Sequence, residues 1–210
     1  MHFTLATAAA ILLTLASAAP NGAYSKTTSS LATFDDLTTL PGAPELTPVP
    51  NGYDGLTWNS LDVLQAGVAG IATGLTPQSG NQVAANGVTD QLTKGGVYIA
   101  ADTVKSFDLS YLYFGCVVNT VESVASVPVA CTVAFTAFQV GNSEAVATVN
   151  MQFNPTNAVV SKMTKADFSG QWFSDFSNLE RVEIAVVESA STATLTGLLI
   201  DNVAYKTYSS

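Results

Sequence analysis

The feature that most constrains what this chain can fold into is a two-residue period in its apolar side chains. Phe107, Leu109, Tyr111 and Tyr113 alternate with Ser106, Asp108, Ser110 and Leu112. Ala145, Ala147, Val149, Met151 and Phe153 alternate with Glu144, Val146, Thr148, Asn150 and Gln152. Val182, Ile184 and Val186 alternate with Arg181, Glu183 and Ala185. Successive side chains of a strand point to opposite faces, so this pattern predicts half-buried antiparallel strands. On this alternation Tyr111 shares the Phe107 face and is expected in the core. Residues 96–101, 131–140 and 195–205 are rich in β-branched and aromatic residues and read as further strands. Gly141-Asn142 and Asn86-Gly87 supply turns between them.

No segment carries a sustained helical period with caps. Pro41, Pro44, Pro48 and Pro50 exclude a helix or a central strand from residues 40–55. The expected fold is all-β, an antiparallel β-sandwich of jelly-roll type.

The start of the chain reads differently. An apolar run over residues 5–15 ends in Ala16-Ser17-Ala18, just before Ala19-Pro20. That is the pattern of a secretory signal peptide covering residues 1–18. The run is too short for a bilayer, which needs about 20 apolar residues. The C-terminal residues 205–210 are polar and carry no lipid-anchor signal. Residues 19–33 read as a flexible Ser/Thr-containing lead-in, and 34–210 as a single sandwich domain. The protein is therefore expected to be secreted, extracellular and not inserted in a membrane. Acidic residues outnumber basic ones 16 to 7, for a net charge of −9, which also argues against nucleic acid as a partner. In an oxidising compartment Cys116 and Cys131 are expected to pair, stapling a hairpin whose strands they would end.

The most informative chemical fact is an absence. The single histidine is His2, inside the leader. Without imidazole the mature chain has no Ser-His-Asp or Cys-His catalysis and no histidine-ligated metal. It reads as non-catalytic. A carboxylate-only glycoside hydrolase stays as an alternative, since it needs just two acids across a sugar bond. Asp54, Asp62, Asp90, Asp102, Glu122, Glu144, Asp167, Asp175, Glu180, Glu183 and Glu188 are available, and spacing selects no pair. Glu183 reads as a solvated residue on an outer strand face. Sugar rings stack on exposed aromatic faces; Tyr53, Trp58, Trp172, Tyr111 and Tyr113 are available, and Trp172, Trp58 and Tyr53 are the candidate ligand contacts. Trp58 follows Leu56 at strand spacing, which favours core or loop packing over ligand contact. Trp172 lies in the polar stretch 169–175 and is the better candidate for exposure.

Five segments carry a resemblance. They are Phe34-Asp35-Asp36-Leu37, Pro50-Asn51-Gly52-Tyr53-Asp54-Gly55-Leu56-Thr57-Trp58-Asn59, Ser79-Gly80-Asn81, Phe107-Asp108-Leu109 and Leu199-Ile200-Asp201-Asn202-Val203. Their order resembles a loose family of secreted fungal and bacterial exported (PEP-CTERM-type) proteins. Asp54 stands where a glycine is usual in that family. The resemblance implies a jelly roll similar in layout to many carbohydrate-binding modules. It also implies that first and last strands pair, so that Asp35 or Asp36 approaches Asp201. A structural calcium there is one expectation; the other is that these carboxylates cap turns or bind backbone amides. The expected function is binding of a cell-wall glycan or another surface component. The alternative of a different class is a secreted effector or elicitor acting on, or recognised by, a host.

Overall fold

A computed structural model describes residues 26–38, 47–65, 74–87, 94, 96–119, 126–190 and 196–209. The leader at 1–18, Asp90 and Glu122 lie outside the described residues. The strands in chain order are β1 (Lys26–Ala32), β2 (Thr47–Pro48), β3 (Leu56–Asn59), β4 (Asp62–Gln65), β5 (Leu75–Thr76), β6 (Gln82–Asn86) and β7 (Val97–Ala101). They continue as β8 (Ser106–Asn119), β9 (Ser126–Pro128), β10 (Cys131–Gln139), β11 (Ala147–Phe153), β12 (Ser161–Lys162), β13 (Thr164–Asp167), β14 (Leu179–Ser189) and β15 (Thr196–Ser209). Helix is confined, among the described residues, to short 3-10 turns at Tyr53–Gly55 and Gly170–Trp172. The protein is an all-β antiparallel sandwich of jelly-roll type.

One layer runs β11-β10-β14-β7-β3. The other is built on the long pair β8–β15, with β13 and β9 beside β8 and with β1 and β6 beside β15. β4 and β2 extend it beyond β6. Pro48 sits on the outermost strand, where a missing N–H costs no ladder bond. Among the described residues the layers share a ladder only at Leu179↔Phe107. Between them Phe114 of β8 meets Phe135 of β10 edge-on at 5.6 Å, and Phe135 meets Phe168 at 5.2 Å. These contacts interdigitate the two inner faces, as sandwich cores require.

The structure departs from the sequence reading in four places. First, residues 26–32 of the supposed lead-in form β1, which pairs with β15 from Lys26↔Ser209 to Ala32↔Val203. The segment is polar because it lies largely exposed, with only Ala32 at its end buried. Second, β6 reads Gln-Val-Ala-Ala-Asn and all five residues are buried. Both of its faces are covered, so it shows no alternation.

Third, Tyr111 is half-buried and points outward. Leu109 pairs with Tyr205, but Tyr111 pairs with Ala204, leaving Ser110 as the extra residue of a bulge. A bulge reverses the parity of everything after it. Phe107 and Leu109 point inward before it; Leu112, Phe114 and Cys116 point inward after it.

Fourth, the disulfide is no hairpin staple. Cys116 and Cys131 are bonded, but β8 turns back onto β9, while β10 pairs with β11 and β14 in the other layer. The bond therefore ties one layer to the other through the core. Closing a loop of this length stabilises by about 3 kcal/mol in the chain-entropy account. The double variant Cys116→Ala/Cys131→Ala is expected to melt roughly 6–12 °C lower by calorimetry. An unchanged melting temperature would show that core packing alone holds the layers in place.

Candidate functional site

The five motif segments converge at one end of the sandwich, and they do so in two halves. One half is aromatic. Phe34, with φ +61°, turns its ring into the core against Trp58 at 5.2 Å and Tyr53 at 5.7 Å. Trp58 also meets Tyr205, whose ring in turn meets Phe107. The indole N–H of Trp58 donates to the Tyr53 carbonyl at 2.9 Å. Trp58 is 2% exposed, so its ring faces protein and not solvent. Tyr53 is half-buried and its hydroxyl donates to Asp36 at 2.7 Å. Burial first, and then that hydrogen bond, raise the phenol pKa above its ordinary value. Asp54 adopts φ +52°, a left-handed conformation that glycine takes freely and that aspartate tolerates better than most residues.

The other half is polar and holds the turn 78–82. Asp201 accepts from the amides of Gln78 (2.6 Å), Ser79 (3.1 Å) and Asn202 (2.7 Å). Asp35 accepts from the amides of Asn81 and Gln82 and from the Ser79 hydroxyl at 2.9 Å. Gly80 has φ +46°, and a Cβ there would lie 2.0 Å from the Asp35 carboxylate, so only glycine fits. Asp35 and Asp201 thus meet as the resemblance implied, whereas Asp36 turns away to Tyr53. Their oxygens face N–H and O–H donors, the arrangement of a hydrogen-bonded turn. Among the described residues no group of three acidic or other metal-ligating side chains gathers. A cation needs oxygens turned toward a common centre, and these residues do not fit one. Burial raises the Asp201 carboxyl to about 6 against the pull of its three amide partners, with the Asp35 charge adding to the rise.

Of the other acids, Glu183 is exposed and takes the Arg181 guanidinium at 3.0 Å. Asp62 is buried and held by Lys94 at 2.8 Å. Trp172 is half-buried against the core, and its neighbour Phe173 is the ring that reaches solvent, at 57% exposure. Nothing in the sequence distinguished the two rings, because one 3-10 turn directs them differently.

The bulge at Ser110 creates what the sequence reading missed. It turns Tyr111 and Tyr113 onto the outer face of β8, edge to face with centroids 6.1 Å apart. Across the sheet Asp167 of β13, Tyr111, Ala204 of β15 and Leu31 of β1 lie in one row. Ala204 is too small to cover the neighbouring ring, and Leu31 is 45% exposed. Lys165 lies beside Tyr113 on β13, with its ammonium 4.4 Å from the Tyr111 ring centre and 2.6 Å from Asp167. The Lys165 hydrogen bond, then two from Ser169, hold the Asp167 carboxyl down at about 2, while the same pair raises the lysine. Both charges therefore persist across neutral pH. The result is a strip with aromatic and aliphatic surface along its length, with the Lys165 ammonium over one ring and Asp167 beside it, fixed on rigid strands. Comparison with protein-family models and with curated proteins finds no match.

Proposed function

We propose that this is a secreted, non-catalytic extracellular protein that binds a cell-wall glycan or a similar surface component through the Tyr111–Tyr113 strip. The outward aromatic pair carries the reading. A pyranose presents apolar C–H surface on its ring faces and hydroxyls at its rim. The strip offers matching groups: ring and aliphatic surface along its length, with the Lys165 ammonium, which lies over the Tyr111 ring, and Asp167 beside it as hydrogen-bonding partners for the hydroxyls. Strand backbones hold these groups in place before any ligand arrives, which lowers the entropic cost of binding.

The purified protein is expected to be retained on insoluble glucan, chitin or cellulose. Tyr111→Ala should weaken that retention on the order of tenfold, as loss of a stacking ring does. Tyr111→Ala acts on a half-exposed ring, so the melting temperature serves as its folding control. Retention by none of the three polysaccharides would refute the reading. Retention that survives Tyr111→Ala but falls with Trp172→Ala would move the site to the 169–175 turn.

A further inference from the structure

A groove on the opposite layer carries a second inference. Cys131–Thr132 of β10, Gln152 of β11 and Glu188 of β14 bound it together with Asn154 and the small residues Ala130 and Ala190. Its volume is about 270 Å³ and it opens to solvent.

The groove follows from register. Thr132 pairs with Gln152 on one side and Glu188 on the other, so the three side chains form one row across the outer face. Directly after Thr132 the ladder with β14 shifts, from Thr132↔Glu188 to Val133↔Val186, and Val187 is the extra residue. Such a bulge bends its strand and re-aims the adjacent side chain. Here it stands beside Glu188. The amide of Ala190 donates to the Ala130 carbonyl at 3.0 Å and closes the end of the groove. Beneath lies Cys131, anchored to the far layer by its disulfide.

The lining chemistry is selective. Glu188 is exposed, and the Thr132 hydroxyl donates to its Oε2 at 3.0 Å. Gln152 and Asn154 each offer an amide donor and acceptor. Among the described residues no basic side chain lines the groove to neutralise the carboxylate. Sulfate, phosphate and uronate ligands are therefore disfavoured, as is a wholly apolar one. A small ligand that brings hydroxyls together with one positive charge fits each wall.

We propose that this groove binds a sugar unit bearing a free amino group, with Glu188 holding the ammonium and Gln152, Asn154 and Thr132 holding ring hydroxyls. The inference goes beyond the Tyr111 strip, because the groove lies on the other sheet and either site can fail alone. A lysine side chain would satisfy Glu188 equally, but it would make no use of the exposed Gln152 and Asn154 amides and would bring a long apolar stem to a groove walled mainly by polar groups.

The test titrates the protein with short β-linked glucosamine oligomers, their fully N-acetylated counterparts and oligo-lysine, at physiological ionic strength. Backbone amide shifts and calorimetry are read together. Glucosamine oligomers are expected to bind and to move the amides of Thr132, Gln152 and Glu188. Loss of a charge-assisted hydrogen bond through Glu188→Gln should weaken them on the order of tenfold or more. Tyr111→Ala should leave the shifts of the Thr132, Gln152 and Glu188 amides unchanged, whatever it does to binding at the strip. Glu188 is exposed, so an unaltered melting temperature is expected for its variant, and Gln152→Ala provides an independent arm. The proposal is overturned if glucosamine oligomers do not bind, or bind Glu188→Gln equally. It is also overturned if the acetylated oligomers shift the amides of Thr132, Gln152 and Glu188 equally, or if oligo-lysine binds as tightly and shifts the same amides. A failure here with intact polysaccharide retention leaves the strip standing; the reverse leaves the groove standing.

Discussion

Trp58→Ala is expected to lower the free energy of unfolding by about 3–5 kcal/mol, the range for deleting a buried large aromatic side chain. The value sits at this level for a structural reason. Trp58 belongs to β3 of one layer, but its ring packs on Phe34, which follows β1, and on Tyr205 of β15 in the other. It also ties down the Tyr53–Gly55 turn through its indole N–H. Removing it opens a cavity between the layers where the surrounding groups, held by ladders on both sides, cannot collapse. Trp58→Phe keeps most of the packing and should cost clearly less than the alanine variant. Urea titration of the three proteins measures both. A loss under about 1 kcal/mol for Trp58→Ala would show that the inter-layer aromatic cluster is not a main source of stability.

The second large effect is a dependence of stability on pH that runs opposite to ordinary acid denaturation. Asp201 is fully buried, and its carboxyl titrates at about 6 in the folded protein. In the unfolded chain it returns to its ordinary value near 4. A folded pKa above the unfolded one means that the folded state holds the proton more tightly. The stabilisation is therefore complete below about pH 4 and is lost as pH rises through 6. The difference of about two pKa units corresponds to roughly 3 kcal/mol. Asp35 is the charged group that faces Asp201 and adds to the rise; the amides of Gln78, Ser79 and Asn202 oppose it. Asp54 is also raised, by burial and by Asp36, and works in the same direction. Asp167 is lowered by Lys165 and works in the other, but it lies at the surface, where solvent screens the pair. Melting temperature is accordingly expected to rise from about pH 7 to about pH 5 in the wild type. In Asp201→Asn that rise should flatten. A variant that keeps the full pH dependence would place its origin in a group other than Asp201.

The segments read as recurring motifs are now seen to share a structural task. Phe34, Tyr53, Trp58 and Tyr205 weld the layers, and Asp35, Ser79 and Asp201 pin a turn beside them. Neither half presents a free ring or a free cradle. The surfaces with ligand-like chemistry lie elsewhere, on the outer faces of the two sheets. The two bulges produce them: Ser110 turns a tyrosine pair outward on one sheet, and Val187 opens a polar groove on the other. Local irregularity in a regular ladder is what gives this sandwich its non-uniform surface.

What the amino-acid order determined by itself was the class of structure and six of the described strands, β7, β8, β10, β11, β14 and β15. A two-residue period can be satisfied only by an extended chain with one covered face, so β11 and the first half of β8 were legible. The prolines excluded an α-helix or a central strand from residues 40–55 for an equally local reason, and of the described residues 47–55 only Thr47–Pro48 is strand, on an edge, with a 3-10 turn at Tyr53–Gly55. The tertiary structure decided everything that depends on which strand lies beside which. It covered both faces of β6, so that segment lost its alternation. It placed β10 across the core from β8, so a bond expected within a hairpin joins two layers. It offset β8 against β15 by one residue, so Tyr111 left the core for the surface. Pairing energy is spread over many near-equivalent backbone bonds, and a one-residue slip changes few of them while exchanging every side chain between inside and outside. Periodicity therefore reveals that a strand exists, and only its neighbours determine which of its faces meets a ligand.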